Sequence, residues 1–300
     1  MYFEYHCEYW SYYYESYYDD TADDDTGADD STHATIDDPV ADADVAEDGA
    51  ATAAAAAPVA GATRPDVIVW PETAIPWLLE HAEPAFAEMA AAGQGAQILV
   101  GLQRRSDEGL WFNTLAVVEP DGAVASIYDK HHLVPFGEYM PLMWVFARLG
   151  VFGLAANDTG GYSAGPGPVL LDLGAAGRAL PLICYEAIFP NDIAKAPGRA
   201  DWLLQVTNDA WFGQIAGPWQ HFALARLRAV EQGLPMLRSA NTGVSAAIDP
   251  FGRVVASLPL GQAGKLDVAL PAPLIPTPYT RLGDLPVYLL IALSACGLAV

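Results

Sequence analysis

The sequence predicts an α/β or α+β sandwich rather than a helical bundle. Three observations carry that reading. Apolar runs of strand length recur along the chain and stop at turn residues. Two pairs of such runs are joined by short turns, at Pro120-Asp121-Gly122 and at Gly174 to Gly177. Segments of helical composition lie between the pairs, as layered sheets and helices require.

Taken in order, "PDVIVWPE" is a strand that ends at Pro71 and Glu72. "AEPAFAEMAAAG" is a helix, with Gly93 where a helix stops. "QILVGLQRR" is a strand, and "NTLAVVEPDGAVASIYDKHHLVPFG" gives two more. "GPVLLDLGAAGRALPLICYE" repeats that paired pattern. Its second run ends at Cys184, and Pro190 soon follows, so it reads as a buried strand leading into a strand-to-helix elbow. "RADWLLQVTND" is a strand, and "PWQHFALARLRAVEQG" has helical spacing up to Gly233. "PMLRSANTGVSAAIDPFGRVVASLP" gives two strands around Pro250-Phe251-Gly252.

Before Arg64 the texture differs. The chain opens with eight tyrosines in 18 residues, then turns Asp-rich and finally Ala-rich. Residues 1–63 hold 16 acids and no Lys or Arg, so most of the net charge of −23 sits there. With neither a basic n-region nor an apolar h-region, the opening is not a signal peptide. Low-complexity sequence of this kind cannot offset its ordering entropy, so residues 1–63 are expected to be a disordered acidic leader. The remainder is only mildly acidic, which argues against a nucleic-acid partner. Cys7, Cys184 and Cys296 lie far apart, without metal-ligand spacing, which argues against a disulfide framework or a structural zinc site.

Two apolar stretches suggest a membrane. Residues 139–156, "YMPLMWVFARLGVFGLAA", carry one charge, Arg148. They read either as core or as an apolar arm over a lipid-handling site. The final "PVYLLIALSACGLAV" has no charge but would be only about 22 Å long as a helix. The expectation is a linker and a membrane helix cut short by the chain end over 276–300, after a catalytic domain over 64–275.

Three strands end at charged or reactive residues: Glu72, Lys130 and Cys184. Each alone has an ordinary account. Glu72 suits a helix start, Lys130 a solvated strand end, and Cys184 a small buried hydrophobe. Together they make acyl-transfer chemistry. A thiol needs help to become a nucleophile, a carboxylate can take its proton, and a lysine can hold the oxyanion that follows. His131 and His132, read as neighbours on a strand, would point to opposite faces and are taken as structural.

These residues carry a resemblance. Glu72 in "VWPETAIP", Lys130 in "YDKHHLVPFGEYMP" and Cys184 in "ICYEAIFP" resemble the Glu-Lys-Cys triad of the nitrilase or carbon–nitrogen hydrolase superfamily. "KHHLVPFGEYMP", "TNDAWFG", "QHFALARLRAVEQGLPMLRSANTGVSAAIDPFGRV" and "YTRLGDLP" are similar to its apolipoprotein N-acyltransferase branch. The resemblance spans about residues 66–300 and implies a nitrilase-like αββα sandwich. It implies that Cys184 takes a fatty acyl chain from a membrane phospholipid as a thioester. The amine of a lipoprotein's N-terminal diacylglyceryl-cysteine then accepts the chain. Glu72 would be the general base and Lys130 the oxyanion stabiliser. Glu138 matches a second active-site glutamate, Tyr185 and Glu186 flank the nucleophile, and Trp211 matches an aromatic near the acyl pocket. The implied partners are phospholipid, diacylglyceryl-modified lipoprotein and membrane. No cofactor is implied. The implied place is the bacterial inner membrane, with the catalytic domain on the periplasmic side.

Members of that branch carry several membrane helices ahead of the catalytic domain. None is recognisable before Arg64, nor are the domain's first strand and helix. The chain therefore reads as a catalytic domain whose N-terminal membrane part is missing, with one sheet edge left unpaired. Two alternatives stand beside the acyltransferase: a soluble amidase or nitrilase in which water attacks the thioester, and an inactive fragment.

Overall fold

The computed structural model of the 300-residue chain describes residues 2–4, 64–142, 148 and 161–298. Two six-stranded sheets form its centre. The first contains β1 (Tyr2–Glu4), β2 (Val67–Val69), β3 (Gln97–Arg105), β4 (Trp111–Val118), β5 (Val124–Asp129) and β12 (Val268–Ala269), in the order β12-β1-β2-β3-β4-β5. The second contains β6 (Leu171–Asp172), β7 (Arg178–Ile183), β8 (Trp202–Asn208), β9 (Met236–Asn241), β10 (Ser245–Ile248) and β11 (Val254–Leu258), in the order β11-β10-β9-β8-β7-β6. In each sheet the central strands run parallel and the flanking hairpins antiparallel.

Side-chain alternation sorts the sheets into layers. Val67 and Val69 of β2, Leu99 of β3 and Leu115 and Val117 of β4 face inward, against Trp202, Leu204 and Val206 of β8 and Ile183 of β7. The intervening Ile68, Ile98 and Val100 face outward and pack on Phe86 and Ala90 of α1 (Glu83–Gly93). On the far side, Leu180, Leu182 and Leu203 pack on Phe222, Ala225 and Ala229 of α3 (Gly217–Gln232). The result is a helix–sheet–sheet–helix stack. Each fully buried aliphatic side chain in it contributes about 1.5–3 kcal/mol. A short helix, α2 (Pro190–Ala194), follows the Cys184 elbow.

Three expectations need correction. The opening of the leader is not without structure: β1 pairs parallel with β2 and antiparallel with β12, so Tyr2–Glu4 occupies the slot expected to be an unpaired edge. A short β2 buried on both faces needs a partner for its backbone, and aromatic sequence has high strand propensity. Residues 5–63 lie outside the described residues. The segment from Met236 forms three strands, not two, because the chain turns at Thr242–Val244 and pairs β10 antiparallel with β9. His131 and His132 follow the end of β5 in a loop, so strand alternation does not separate them.

At the C-terminus, α4 (Pro278–Leu282) leads into α5 (Leu285–Leu298). The membrane helix expected over 276–300 is not borne out: among the described residues no helix is long and apolar enough to cross a membrane. Fourteen residues give α5 a length of about 21 Å, against about 30 Å for a hydrocarbon core. Its Leu285, Tyr288, Leu290 and Leu293 side chains are exposed. Most of the apolar stretch 139–156 lies outside the described residues; Leu142, within it, is exposed.

Candidate active site

The ends of β2, β5, β7 and β8 meet at one rim of the sandwich. After β2, the Trp70 amide still bonds the Leu99 carbonyl (2.7 Å), and the chain then crosses closely over β3. Gly101 of β3 permits that crossing, since a Cβ there would sit on the Pro71 carbonyl and the Glu72 backbone. Glu72 is thereby placed over the end of β4. It is buried; Oε1 accepts from Asn113 Nδ2 (2.6 Å) and Oε2 from the Asn208 amide at the end of β8 (2.7 Å).

Lys130 follows β5 directly, its amide held by the Asn113 carbonyl (2.9 Å). Its side chain is 1 % exposed, and Nζ lies 3.8 Å from Glu72 Oε1 and donates to Glu138 Oε1 (2.7 Å). Glu138 is fixed in turn by the Val134 amide on Oε2 (2.8 Å) and by Asn113 Nδ2 on Oε1 (3.3 Å). Cys184 is buried and opens the 3-10 turn Cys184–Ile188 after β7, with φ at 50°. A non-glycine residue in that left-handed region is strained and needs its surroundings to hold it there.

One ammonium stands among two carboxylates and a thiol, in a site largely closed to water. Burial pushes the Cys184 thiol up to about 12, the Glu72 charge adds to this, and Lys130 opposes it. Cys184 therefore rests as a thiol at neutral pH. Burial also raises the Glu72 carboxyl above the usual range, outweighing Lys130 and Asn113, which favour its ionised form. For Lys130 the balance is reversed. Burial disfavours its charge, but Glu72 and Glu138, with Cys184 once it ionises, raise its pKa, so it stays an ammonium. A thiol, a carboxylate of enhanced basicity and a fixed cation form a set suited to nucleophilic attack on a carbonyl.

Glu186 plays a different part. It is fully buried and accepts from the Tyr128 hydroxyl (2.8 and 2.9 Å) and from the amides of His131 (2.8 Å), His132 (3.1 Å) and Ile183 (2.7 Å). One carboxylate thus ties the loop after Lys130, in the first sheet, to the elbow of Cys184, in the second. His131 Nε2 and His132 Nδ1 both approach Asp192 Oδ2, at 3.7 and 2.6 Å. Tyr185 sits edge-on to the rings of His132 and Phe189. Trp211 does not join this group: it lies in the 3-10 turn after β8 and is 82 % exposed.

Asn113 belongs to the site and escaped the sequence reading. Its signal was a polar residue in register with the inward-facing Leu115 and Val117 on β4. Tyr128, and the Asp209, His221 and Arg238 cluster behind Cys184, escaped as well.

Residues 42–277 match the family model of the carbon-nitrogen hydrolases. The apolipoprotein N-acyltransferase of Bradyrhizobium diazoefficiens is 46% identical over 235 residues, which are 76% of this chain and 44% of that protein. The one from Rhodopseudomonas palustris is 45% identical, with the same coverage of 76% and 44%. This chain thus spans less than half the length of the curated relatives it matches. Among solved structures, a carbon-nitrogen hydrolase from Helicobacter pylori superposes with a TM-score of 0.51 at 17% identity, over 68% of this chain and 76% of that one. That likeness concerns the fold alone. The sandwich, the buried Glu–Lys–Cys rim and the match over most of the sequence agree, and the chain belongs to the carbon–nitrogen hydrolase family.

Proposed function

We propose that this chain supplies the acyl-transfer chemistry of an apolipoprotein N-acyltransferase. It would move a fatty acyl group from a membrane phospholipid, through a thioester on Cys184, to the N-terminal amine of a lipoprotein's diacylglyceryl-cysteine. The observation that carries this reading is the buried rim itself. Glu72 and Lys130, anchored by Asn113 and Glu138, stand where Cys184 is held at the end of β7. The identity of 46% to an apolipoprotein N-acyltransferase favours an amine over water as the final acceptor.

In the first half-reaction Glu72 takes the thiol proton while Sγ attacks the ester carbonyl. The Lys130 ammonium, steadied by Glu138, offsets the charge that develops on the carbonyl oxygen. When the C–O bond breaks, Glu72 returns its proton to the departing lysophospholipid oxygen. In the second half-reaction the lipoprotein amine attacks the thioester and gives its proton to Glu72. The thiolate then leaves with that proton, and amide and thiol are formed. Tyr185, Glu186 and Trp211 are assigned support or substrate contact rather than proton transfer. The inner membrane, with the catalytic domain on its periplasmic side, is the proposed location. Large exposed apolar side chains support a lipid surface as partner, among them Phe136, Leu142, Trp211 and Ile215.

Incubation with phospholipid vesicles and site-resolved mass spectrometry test the proposal. The expected product is an acyl adduct on Cys184 that hydroxylamine removes. An adduct confined to Cys7 or Cys296 overturns it. With a diacylglyceryl-cysteine peptide in excess, free fatty acid as the only product would favour the hydrolase instead.

A further inference from the structure

The strings "TNDAWFG", "QHF" and "RSANTG" come from three separate elements, yet their polar residues meet behind the nucleophile. Asp209, buried after β8, is closely approached from four sides, three of them by hydrogen-bond donors. Its Oδ1 accepts from Thr207 Oγ1 (3.1 Å) and His221 Nδ1 (2.9 Å), and its Oδ2 accepts from Arg238 of β9 (2.5 Å). The fourth is a close approach, not a bond: a Cβ at Gly243 would collide with the Asp209 carboxylate, so only glycine leaves it room. Burial would raise the Asp209 carboxyl, but His221 and Arg238 outweigh it and hold it below the usual carboxylate range. An ionised carboxylate only accepts, so the ring nitrogen facing it, Nδ1, carries a proton.

The other face of that ring points at the elbow. His221 Nε2 lies 3.1 Å from the Cys184 carbonyl oxygen and 3.1 Å from Gln205 Nε2, and Gln205 Nε2 donates to the same carbonyl (3.3 Å). With the ring neutral, Nε2 accepts from the Gln205 amide, and the second hydrogen of that amide holds the carbonyl. With the ring charged, Nε2 holds the carbonyl itself. Either way the Cys184 peptide is anchored through His221 to the ion pair between Asp209, just after β8, and Arg238 of β9. Cys184 is the residue that needs an anchor, since its φ of 50° is strained. Thr207, whose hydroxyl donates to Asp209, also opposes the rise of the Cys184 pKa.

We infer that His221 is a positioning residue for the nucleophile: on an Asp209–Arg238 base it holds the Cys184 carbonyl, directly or through Gln205, and so fixes the left-handed turn that presents the thiol to Glu72. The inference rests on the reading of Cys184 as the nucleophile, and it assigns the three motifs one common purpose.

The test is the rate at which iodoacetamide alkylates Cys184 in the full 300-residue chain, resolved by mass spectrometry, with exposed Cys296 as internal reference. His221→Met keeps similar volume without a polar group, whereas His221→Gln restores an amide that can bond Gln205 or the carbonyl. A misplaced reacting atom costs up to about 100-fold, so His221→Met is expected to slow Cys184 about 10-fold or more, with Cys296 unchanged. His221→Gln is expected to stay within about 3-fold of the unsubstituted rate, since it keeps the hydrogen bond. A His221→Met chain that alkylates normally overturns the inference. So does a His221→Gln chain as slow as His221→Met, because the role is then packing alone. If His221→Met does not fold, Gln205→Met, which removes the amide, takes its place with the same two outcomes. The absolute rate of Cys184 against Cys296 in the unsubstituted chain judges the nucleophile reading separately.

Discussion

The two sheets contribute unlike things to the same rim. From the first come the charges, Glu72 after β2, Lys130 after β5 and Glu138 in the loop beyond, with Asn113 on β4 to orient the carboxylates. From the second comes posture: Cys184 in a strained turn, held from behind by Glu186, Gln205 and His221. Glu186 links the two through four donors. The difference teaches that the thiol is not activated where it sits. Burial keeps it protonated, and in the proposed mechanism its reactivity depends on groups delivered by the other sheet.

Breaking one side at a time sharpens this division. The largest effect belongs to the second sheet's nucleophile: Cys184→Ala should abolish the hydroxylamine-sensitive adduct altogether, as read by mass spectrometry. Next is the first sheet's cation. Lys130→Met should slow thioester formation by about 10²–10³-fold, the usual scale for an electrostatic partner of an oxyanion. Adding Lys130→Met to Cys184→Ala should cost nothing further, because without the thiol no thioester is left for the cation to assist. Thermal unfolding must be followed alongside, since Lys130→Met leaves the buried Glu72 without its cation.

Glu186→Ala tests the link between the sheets. It strands three backbone amides in a buried site, leaves the Tyr128 hydroxyl with His131 alone, and should cost at least about 3 kcal/mol in denaturant unfolding. A loss well below that would show that the two sides are held together elsewhere. The smallest expected effect is in the pH profile. Glu72 must be ionised to act as base, and burial raises its pKa from 4.5. Thioester formation should therefore decline as pH falls, starting above the range of an ordinary carboxylate. Lys130, with its pKa raised from 10.5, should keep its charge throughout that range. Initial rates between about pH 5 and 9 check both limbs, since unperturbed Glu titrates near 4.3 and Lys near 10.4.

The charges were easier to read from sequence than the posture. Glu72, Lys130 and Cys184 each close an apolar run, so a period-2 reading exposes them without knowledge of the fold. The hairpin turn at Pro120-Asp121-Gly122 and the helix stop at Gly233 are local signals, and both stand in the structure. What joins Asp209 on one segment, His221 on α3 and Arg238 on β9 is a crossover of helix on sheet, which no local pattern encodes. Tyr2–Glu4 was missed for the same reason, since its partners Val268 and Ala269 lie at the other end of the chain. His131 and His132 were misread because the strand stops at Asp129, one residue before Lys130.

The central claim is that the first sheet's Glu72 takes the proton of the second sheet's Cys184, and single-turnover thioester formation in Glu72→Gln tests it most directly. Glutamine keeps the shape and the Asn113 contact but cannot accept the proton, so the account predicts a fall of about 10²–10⁴-fold in acyl adduct at Cys184, with folding unchanged. Acylation of Cys184 at the unsubstituted rate would contradict it and make Glu138, 2.7 Å from Lys130 Nζ, the leading candidate for the base.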